Sequence, residues 1–216
     1  MAMQIKICGV TNSRDALACA AAGVDMIGLN FCERSPRYIG PDQARTIARA
    51  LPSSTRAVGI FVNAPVEELR RLAHDVGLRI LQLHGSESPE MCAELARDFE
   101  VIKALRIDAR FAAQKASAYP SCTILLDSYD EEMAGGTGEV GDWKVARETR
   151  KFATRLILAG GLNPENVAEA IATVNPDGVD VCSSLESTPG VKDLGRVHRF
   201  VAAARNAEKV GAARPS

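Results

Sequence analysis

Short runs of β-branched and aliphatic residues recur along this chain at nearly constant spacing, and that repeat restricts the folds open to it more than any other feature. The runs begin near Ile5, Asp25, Ala57, Arg79, Val101, Thr123, Leu156 and Gly178, at intervals of 20, 32, 22, 22, 22, 33 and 22 residues. Each is followed by a longer segment with helix-like apolar spacing. The common interval accommodates a strand of about five residues, two short loops and a helix of about ten. Eight such units predict an α/β chain folded as a single (β/α)8 TIM barrel, with eight parallel strands and the active site at the C-terminal face. The length of 216 residues suits one such barrel over 1–205, with 206–216 expected as a flexible tail. A doubly wound open sheet would use similar units but usually fewer strands.

Helix starts agree with the repeat. Asn12, Ser88 and Asn163 stand where N-caps belong, and Pro41, Pro65, Pro89 and Pro164 suit a first helical turn. The two long intervals add about ten residues after the second and sixth strands, where barrel loops gather around active sites. The first addition runs from Phe31 to Gly40, and the second from Ser128 to Gly141, with Gly135-Gly136-Thr137-Gly138 inside it.

Charge and composition exclude several function classes. With 26 Lys and Arg against 27 Asp and Glu, the net charge of -1 offers no global field for nucleic acid or an anionic membrane. The longest apolar stretch, Ala16 to Val24, falls well short of a membrane span, and the N-terminus lacks a signal-peptide pattern, so a cytoplasmic location is expected. The cysteines Cys8, Cys19, Cys32, Cys92, Cys122 and Cys182 form no CxxC pair, and reduced thiols are the default expectation. His74, His84 and His198 are too scattered for a metal site. Gly136-x-Gly138-x-x-Gly141 matches a dinucleotide fingerprint only as a string, because it does not directly follow its strand. No metal and no cofactor are expected.

Strand ends collect Cys8, Asn30, Asn63, His84, Arg106, Asp127, Gly160-Gly161 and Ser183-Ser184. This set suits proton transfer on a phosphorylated small molecule. Cys8 shares strand parity with Lys6, whose ammonium would favour a thiolate able to act as base, although a buried structural cysteine is an equal alternative. Asp127 ends an aliphatic run, where burial would suit a general acid; a turn cap with Ser128 is the plainer alternative. Arg37 offers a bidentate clamp for a carboxylate or phosphate. Gly160-Gly161 and Ser183-Ser184 close the seventh and eighth strands, where barrels frequently cradle phosphate. His84 either lines the pocket or is a satisfied structural histidine.

These residues resemble the phosphoribosylanthranilate isomerase family of tryptophan biosynthesis. The likeness rests on Lys6-Ile7-Cys8-Gly9-Val10-Thr11, Ser35-Pro36-Arg37-Tyr38-Ile39, Val58-Gly59-Ile60-Phe61-Val62-Asn63, Gln82-Leu83-His84-Gly85, Leu125-Leu126-Asp127, Gly135-Gly136-Thr137-Gly138 and Ala159-Gly160-Gly161-Leu162-Asn163-Pro164-Glu165-Asn166-Val167, in the family's order over about residues 4–205. The resemblance implies an Amadori rearrangement of N-(5-phosphoribosyl)anthranilate without metal or cofactor. It implies Asp127 as general acid, Cys8 as the base taking the C2′ proton, Arg37 on the anthranilate carboxylate, and the Gly161 and Ser183 loops on the phosphate. A related barrel, the aminoimidazole-carboxamide ribotide isomerase of histidine biosynthesis, uses paired aspartates, and Cys8 argues against it. One departure stands out. The family often reads Asp-Val-Ser-Ser-Gly-Val-Glu after the eighth strand, whereas residues 180–186 read Asp-Val-Cys-Ser-Ser-Leu-Glu. If the replaced glycine needs positive φ, Ser184 would strain the phosphate turn.

Overall fold

The computed structural model describes residues 2–108, 110–127 and 143–212. Eight parallel strands close into a barrel in chain order: β1 (Gln4–Ile7), β2 (Met26–Asn30), β3 (Arg56–Phe61), β4 (Ile80–Leu83), β5 (Glu100–Arg106), β6 (Thr123–Asp127), β7 (Arg155–Ala159) and β8 (Gly178–Val181). Every strand begins within one residue of its expected start. Both faces of such strands are covered, which explains why the runs are nearly continuously apolar. Met26, Val58, Ile80, Ile102, Ala104, Leu125, Ile157 and Ala159 fill the lumen. A larger apolar layer, including Ile5, Ile7, Leu81, Leu126, Leu158 and Phe200, lies between strands and helices.

The helices are α1 (Ser13–Ala21), α2 (Pro41–Ala50), α3 (Val66–Val76), α4 (Pro89–Leu95), α5 (Trp143–Thr149), α6 (Val167–Val174) and α7 (Leu194–Ala212). Asn12 accepts from the Asp15 N–H at 2.8 Å and Ser88 from the Met91 N–H at 3.3 Å, as N-caps do. Asn163 caps a turn ahead of α6 by accepting from the Glu165 and Asn166 amides, both at 2.9 Å.

Two expectations need correction. The connection after β5 is a six-residue 3-10 helix, Ala113–Ala118, rather than an α-helix. Pro120 follows it closely, and the Ser117 hydroxyl takes the Gln114 carbonyl at 2.7 Å, so the segment has little room to propagate. The boundary expected at 205 falls inside α7, which runs to Ala212 and is held there by Glu208, whose carboxylate accepts from the Met3 N–H at 2.6 Å. Residues 213–216 and the Ser128–Gly141 insertion lie outside the described residues. Among the described residues no helix is long and apolar enough to cross a membrane.

One buried ion pair outside the lumen fixes the loop after β4. Lys103 points from β5 toward the helix layer, where its ammonium donates to Glu87 at 2.9 Å and to the carbonyls of Leu83 at 3.1 Å and Gly85 at 2.7 Å. Glu87 also accepts from the Asn63 N–H at 2.8 Å and the Gly85 N–H at 2.9 Å. Burial works against the Glu87 charge, but Lys103 and the backbone amides of Asn63 and Glu87 itself outweigh it and lower its pKa. Lys103→Met leaves that carboxylate uncompensated and is expected to cost about 3–5 kcal/mol in urea unfolding. The double variant Lys103→Met, Glu87→Leu should recover part of the loss.

Candidate active site

Cys8 directly follows β1 and extends its pairing, donating its N–H to the Val181 carbonyl at 2.9 Å. Two residues earlier, Lys6 points into the lumen and meets Asp180 of β8 at 2.9 Å, which sets Cys8 on the same interior side. The fit around Cys8 is close. A Cβ on Gly28 would stand 2.9 Å from Ile60 Cδ1 and 3.0 Å from Cys8 Cα, so β2 can pass here only with a glycine. A Cβ on Gly9, which adopts φ of +69°, would strike the aliphatic stem of Arg37.

The environment favours the Cys8 thiolate. Interaction with the Cys182 thiol, aided by Lys6 and Lys192, overcomes burial and holds Cys8 well below the ordinary thiol range. Cys182 moves the opposite way, raised by its bond to Cys8 and by burial. Beneath them, burial pushes the Asp180 carboxyl up to about 7 while Lys6 draws it back. Burial also opposes the Lys6 ammonium, yet Asp180 and Cys8 outweigh it and raise its pKa.

Across the lumen, Asp127 ends β6, with its carboxylate 3.6 Å from His84 Nε2. The Gln82 amide sits 2.9 Å from His84 Nδ1. Assigned as a donor there, it makes Nδ1 the acceptor and leaves the ring proton on Nε2, facing Asp127. Asp127 is not buried as expected: its side chain is 27% exposed, because the strand ends at the open rim.

Arg37 approaches from the loop after β2. Its Nε donates to Glu186 Oε1 at 2.9 Å and its Nη2 to Oε2 at 2.6 Å. Glu186 is buried and also accepts from Lys192 Nζ at 2.8 Å. Neither residue was anticipated. They face each other across a short hairpin, β9 (Glu186–Thr188) and β10 (Val191–Lys192), and the Pro189-Gly190 turn between two charges was the available signal.

The turns after β7 and β8 are laced together. Gly160 and Gly161 take φ of +85° and +65°, and no atom lies within 4 Å of a Cβ built on Gly161. Ser184 Oγ donates to the Leu162 carbonyl at 2.5 Å, and Arg196 Nη1 donates to the Glu186 carbonyl at 3.0 Å. Ser183–Leu185 form one 3-10 turn, and Asn63 and Asn175 are the positive-φ non-glycine residues among those described. The strain expected of Ser184 is therefore not present. Asn163 already takes the Glu165 and Asn166 amides, so these two N–H groups ahead of α6 are engaged within the turn.

A cavity of about 340 Å³ adjoins these turns, lined by Asn163, Pro164, Glu165, Ser184, Arg196 and Arg199. Another of about 250 Å³ opens at the opposite barrel mouth. There Arg56 pairs with Glu100 at 2.8 Å and Arg155 donates to Gln4 at 3.0 Å, and none of the expected site residues is present. The described residues contain no cluster of three or more His, Cys, Asp or Glu able to hold a metal ion.

Lys6→Met removes a cation that favours the Cys8 thiolate and strands Asp180 nearby, two changes of the same sign. The apparent pKa for alkylation of Cys8 by iodoacetamide, read by peptide mass spectrometry across pH, is expected to rise. An unchanged profile would remove Lys6 from the account.

Known proteins share both this sequence and this geometry. The family model described as N-(5'phosphoribosyl)anthranilate (PRA) isomerase matches residues 5–203. The N-(5'-phosphoribosyl)anthranilate isomerase of Rubrobacter xylanophilus is 45% identical over 205 residues, covering 94% of this chain and 99% of the relative. That of Pseudomonas aeruginosa is 45% identical over 207 residues, covering 95% and 96%. The Thermotoga maritima phosphoribosyl anthranilate isomerase superposes with a TM-score of 0.88 at 39% identity, covering 94% of this chain and 99% of that one. A solved phosphoribosyl anthranilate isomerase bound to reduced 1-(o-carboxyphenylamino)-1-deoxyribulose 5-phosphate gives a TM-score of 0.86 at 38% identity, with the same coverage. The rim, the barrel and the near full-length match agree: this chain belongs to the N-(5'-phosphoribosyl)anthranilate isomerase family, the isomerases of tryptophan biosynthesis.

Proposed function

We propose that this chain converts N-(5-phosphoribosyl)anthranilate to 1-(2-carboxyphenylamino)-1-deoxyribulose 5-phosphate by general acid–base catalysis, with Asp127 as acid and Cys8 as base. The observation that carries this reading is the pairing of a thiol held toward its thiolate on β1 with a carboxyl on β6, both facing one lumen. The turns carrying Gly161 and Ser183 come from β7 and β8, the two strands between them. A substrate phosphate held there would lay its ribose across the gap between acid and base.

Asp127 gives its proton to the ribose ring oxygen as the C1′–O bond breaks, and the anilino nitrogen lone pair forms the C1′=N bond. The Cys8 thiolate then takes the C2′ proton, and those electrons form the C1′=C2′ enol amine, which tautomerises to the ketone. His84 lies beside Asp127 and lines this space. The Nη1 side of Arg37, beyond the edge Glu186 engages, suits the anthranilate carboxylate. The peptide N–H groups of Gly161, Ser183 and Ser184 suit the phosphate, with Gly160 shaping the turn.

Substrate turnover by wild type, Cys8→Ser and Asp127→Asn tests the assignment. Each variant is expected to lose roughly 10²–10⁴-fold in kcat, the usual worth of a positioned acid or base, while still binding the reduced product analogue. Arg37→Gln should instead act mainly on KM. Folded Cys8→Ser with wild-type kcat would overturn the base assignment.

A further inference from the structure

Cys8 and Cys182 are far apart in sequence but face each other where the barrel closes. β1 and β8 pair with Lys6 opposite Asp180 and Ile7 opposite Val181, and the Cys8 N–H bond to Val181 carries that register one residue further. Cys8 therefore stands opposite Cys182. Adjacent strands lie roughly 4.8 Å apart, inside the Cα window of about 4.4–6.8 Å that a disulfide spans. The two side chains share the lumen side, as Lys6 and Asp180 do in their 2.9 Å contact. Both are half-buried rather than sealed.

Their surroundings are unequal. Cys182 Sγ lies 3.8 Å from Glu186 Oε1 and 4.0 Å from Lys192 Nζ, so it has a carboxylate at hand to keep it a thiol. Cys8 has Lys6 beneath it and Cys182 beside it across the seam. A thiolate touching a thiol is the arrangement in which one sulfur attacks an oxidant and the other resolves the product. Cys92 and Cys122 form a second bonded pair, but at 0% and 4% exposure they are closed to solvent.

We propose that Cys8 and Cys182 form a modification site for hydroperoxides, closing to a disulfide that reversibly withdraws the Cys8 thiolate from catalysis. The Cys8 thiolate attacks a peroxide oxygen: an S–O bond forms, the O–O bond breaks, and the departing oxygen takes a proton and leaves as water or alcohol. The Cys182 sulfur then displaces hydroxide from the Cys8 sulfenic acid, with the S–S bond forming as the S–O bond breaks. The Cys182 proton and the hydroxide leave as water. The two sulfurs together give up two electrons, which the peroxide consumes, and a dithiol returns them. Loss of turnover rests on the reading of Cys8 as base; the cross-link does not.

The test treats full-length wild type and Cys182→Ser with hydrogen peroxide, blocks remaining thiols, maps disulfides without reduction, and follows turnover relative to each protein's untreated value. Wild type is expected to lose two of its six thiols, to yield a Cys8–Cys182 peptide, and to lose turnover in proportion to that peptide. Dithiothreitol should restore the turnover. Cys182→Ser should lose turnover without a cross-link and fail to recover, because its Cys8 sulfenic acid has no resolving partner and oxidises further. No cross-link, a bond confined to Cys92 and Cys122, or wild-type loss that dithiothreitol cannot reverse would overturn the proposal. A mapped Cys8–Cys182 bond with full turnover would instead defeat the base assignment and the switch with it, leaving only the cross-linking site.

Discussion

Closure of the barrel between β1 and β8 is the constraint on which the site depends. An open sheet of the same eight units would leave Lys6 and Asp180 on separate edges, each a charge with no partner. Closure brings them to 2.9 Å inside the lumen, where either alone would be costly. The same register sets Cys8 beside Cys182, and the hairpin after β8 then carries Glu186 and Lys192 up to Arg37. One seam thus holds the thiol, the cations that favour its thiolate and the Arg37–Glu186 pair.

Around this seam the two ionisable ends of the site are built differently. Cys8 is half-buried and governed by fixed neighbours, while Asp127 stands at the open rim beside His84, with the segment that follows it outside the described residues. In the proposed mechanism, a base whose charge is set by its surroundings waits for substrate in its active form. The acid proposed for that mechanism shares its rim with whatever ligand arrives, so bound substrate would form part of its environment.

Much of this architecture was legible in the sequence because it depends on local rules. The 22-residue period and the β-branched runs located each strand to within a residue. Strand alternation placed Lys6 and Cys8 on one side, and Asn12 and Ser88 announced their helices through capping chemistry. What escaped depended on distant parts of the chain meeting. Nothing local to Glu186 or Lys192 places them beside Arg37; the hairpin does, and buries both. The exposure of Asp127 reflects where the rim falls relative to its strand, which an aliphatic run alone does not reveal. The segment before Pro120 has helix-like apolar spacing, and spacing alone does not reveal that it closes as a six-residue 3-10 turn.

The Lys103–Glu87 pair divides β4 and its loop into two territories. The lumen side, Gln82 and His84, faces Asp127, while the loop that continues from it is anchored from outside the barrel by a charge on the next strand. Rim positions such as Ser86 can then vary without moving the imidazole, provided the outer pair persists. Substitutions far from any ligand, in the layer between strands and helices, gain a route to the reaction by tilting that loop. A search for altered substrate preference would do well to include this hidden layer alongside the visible pocket wall.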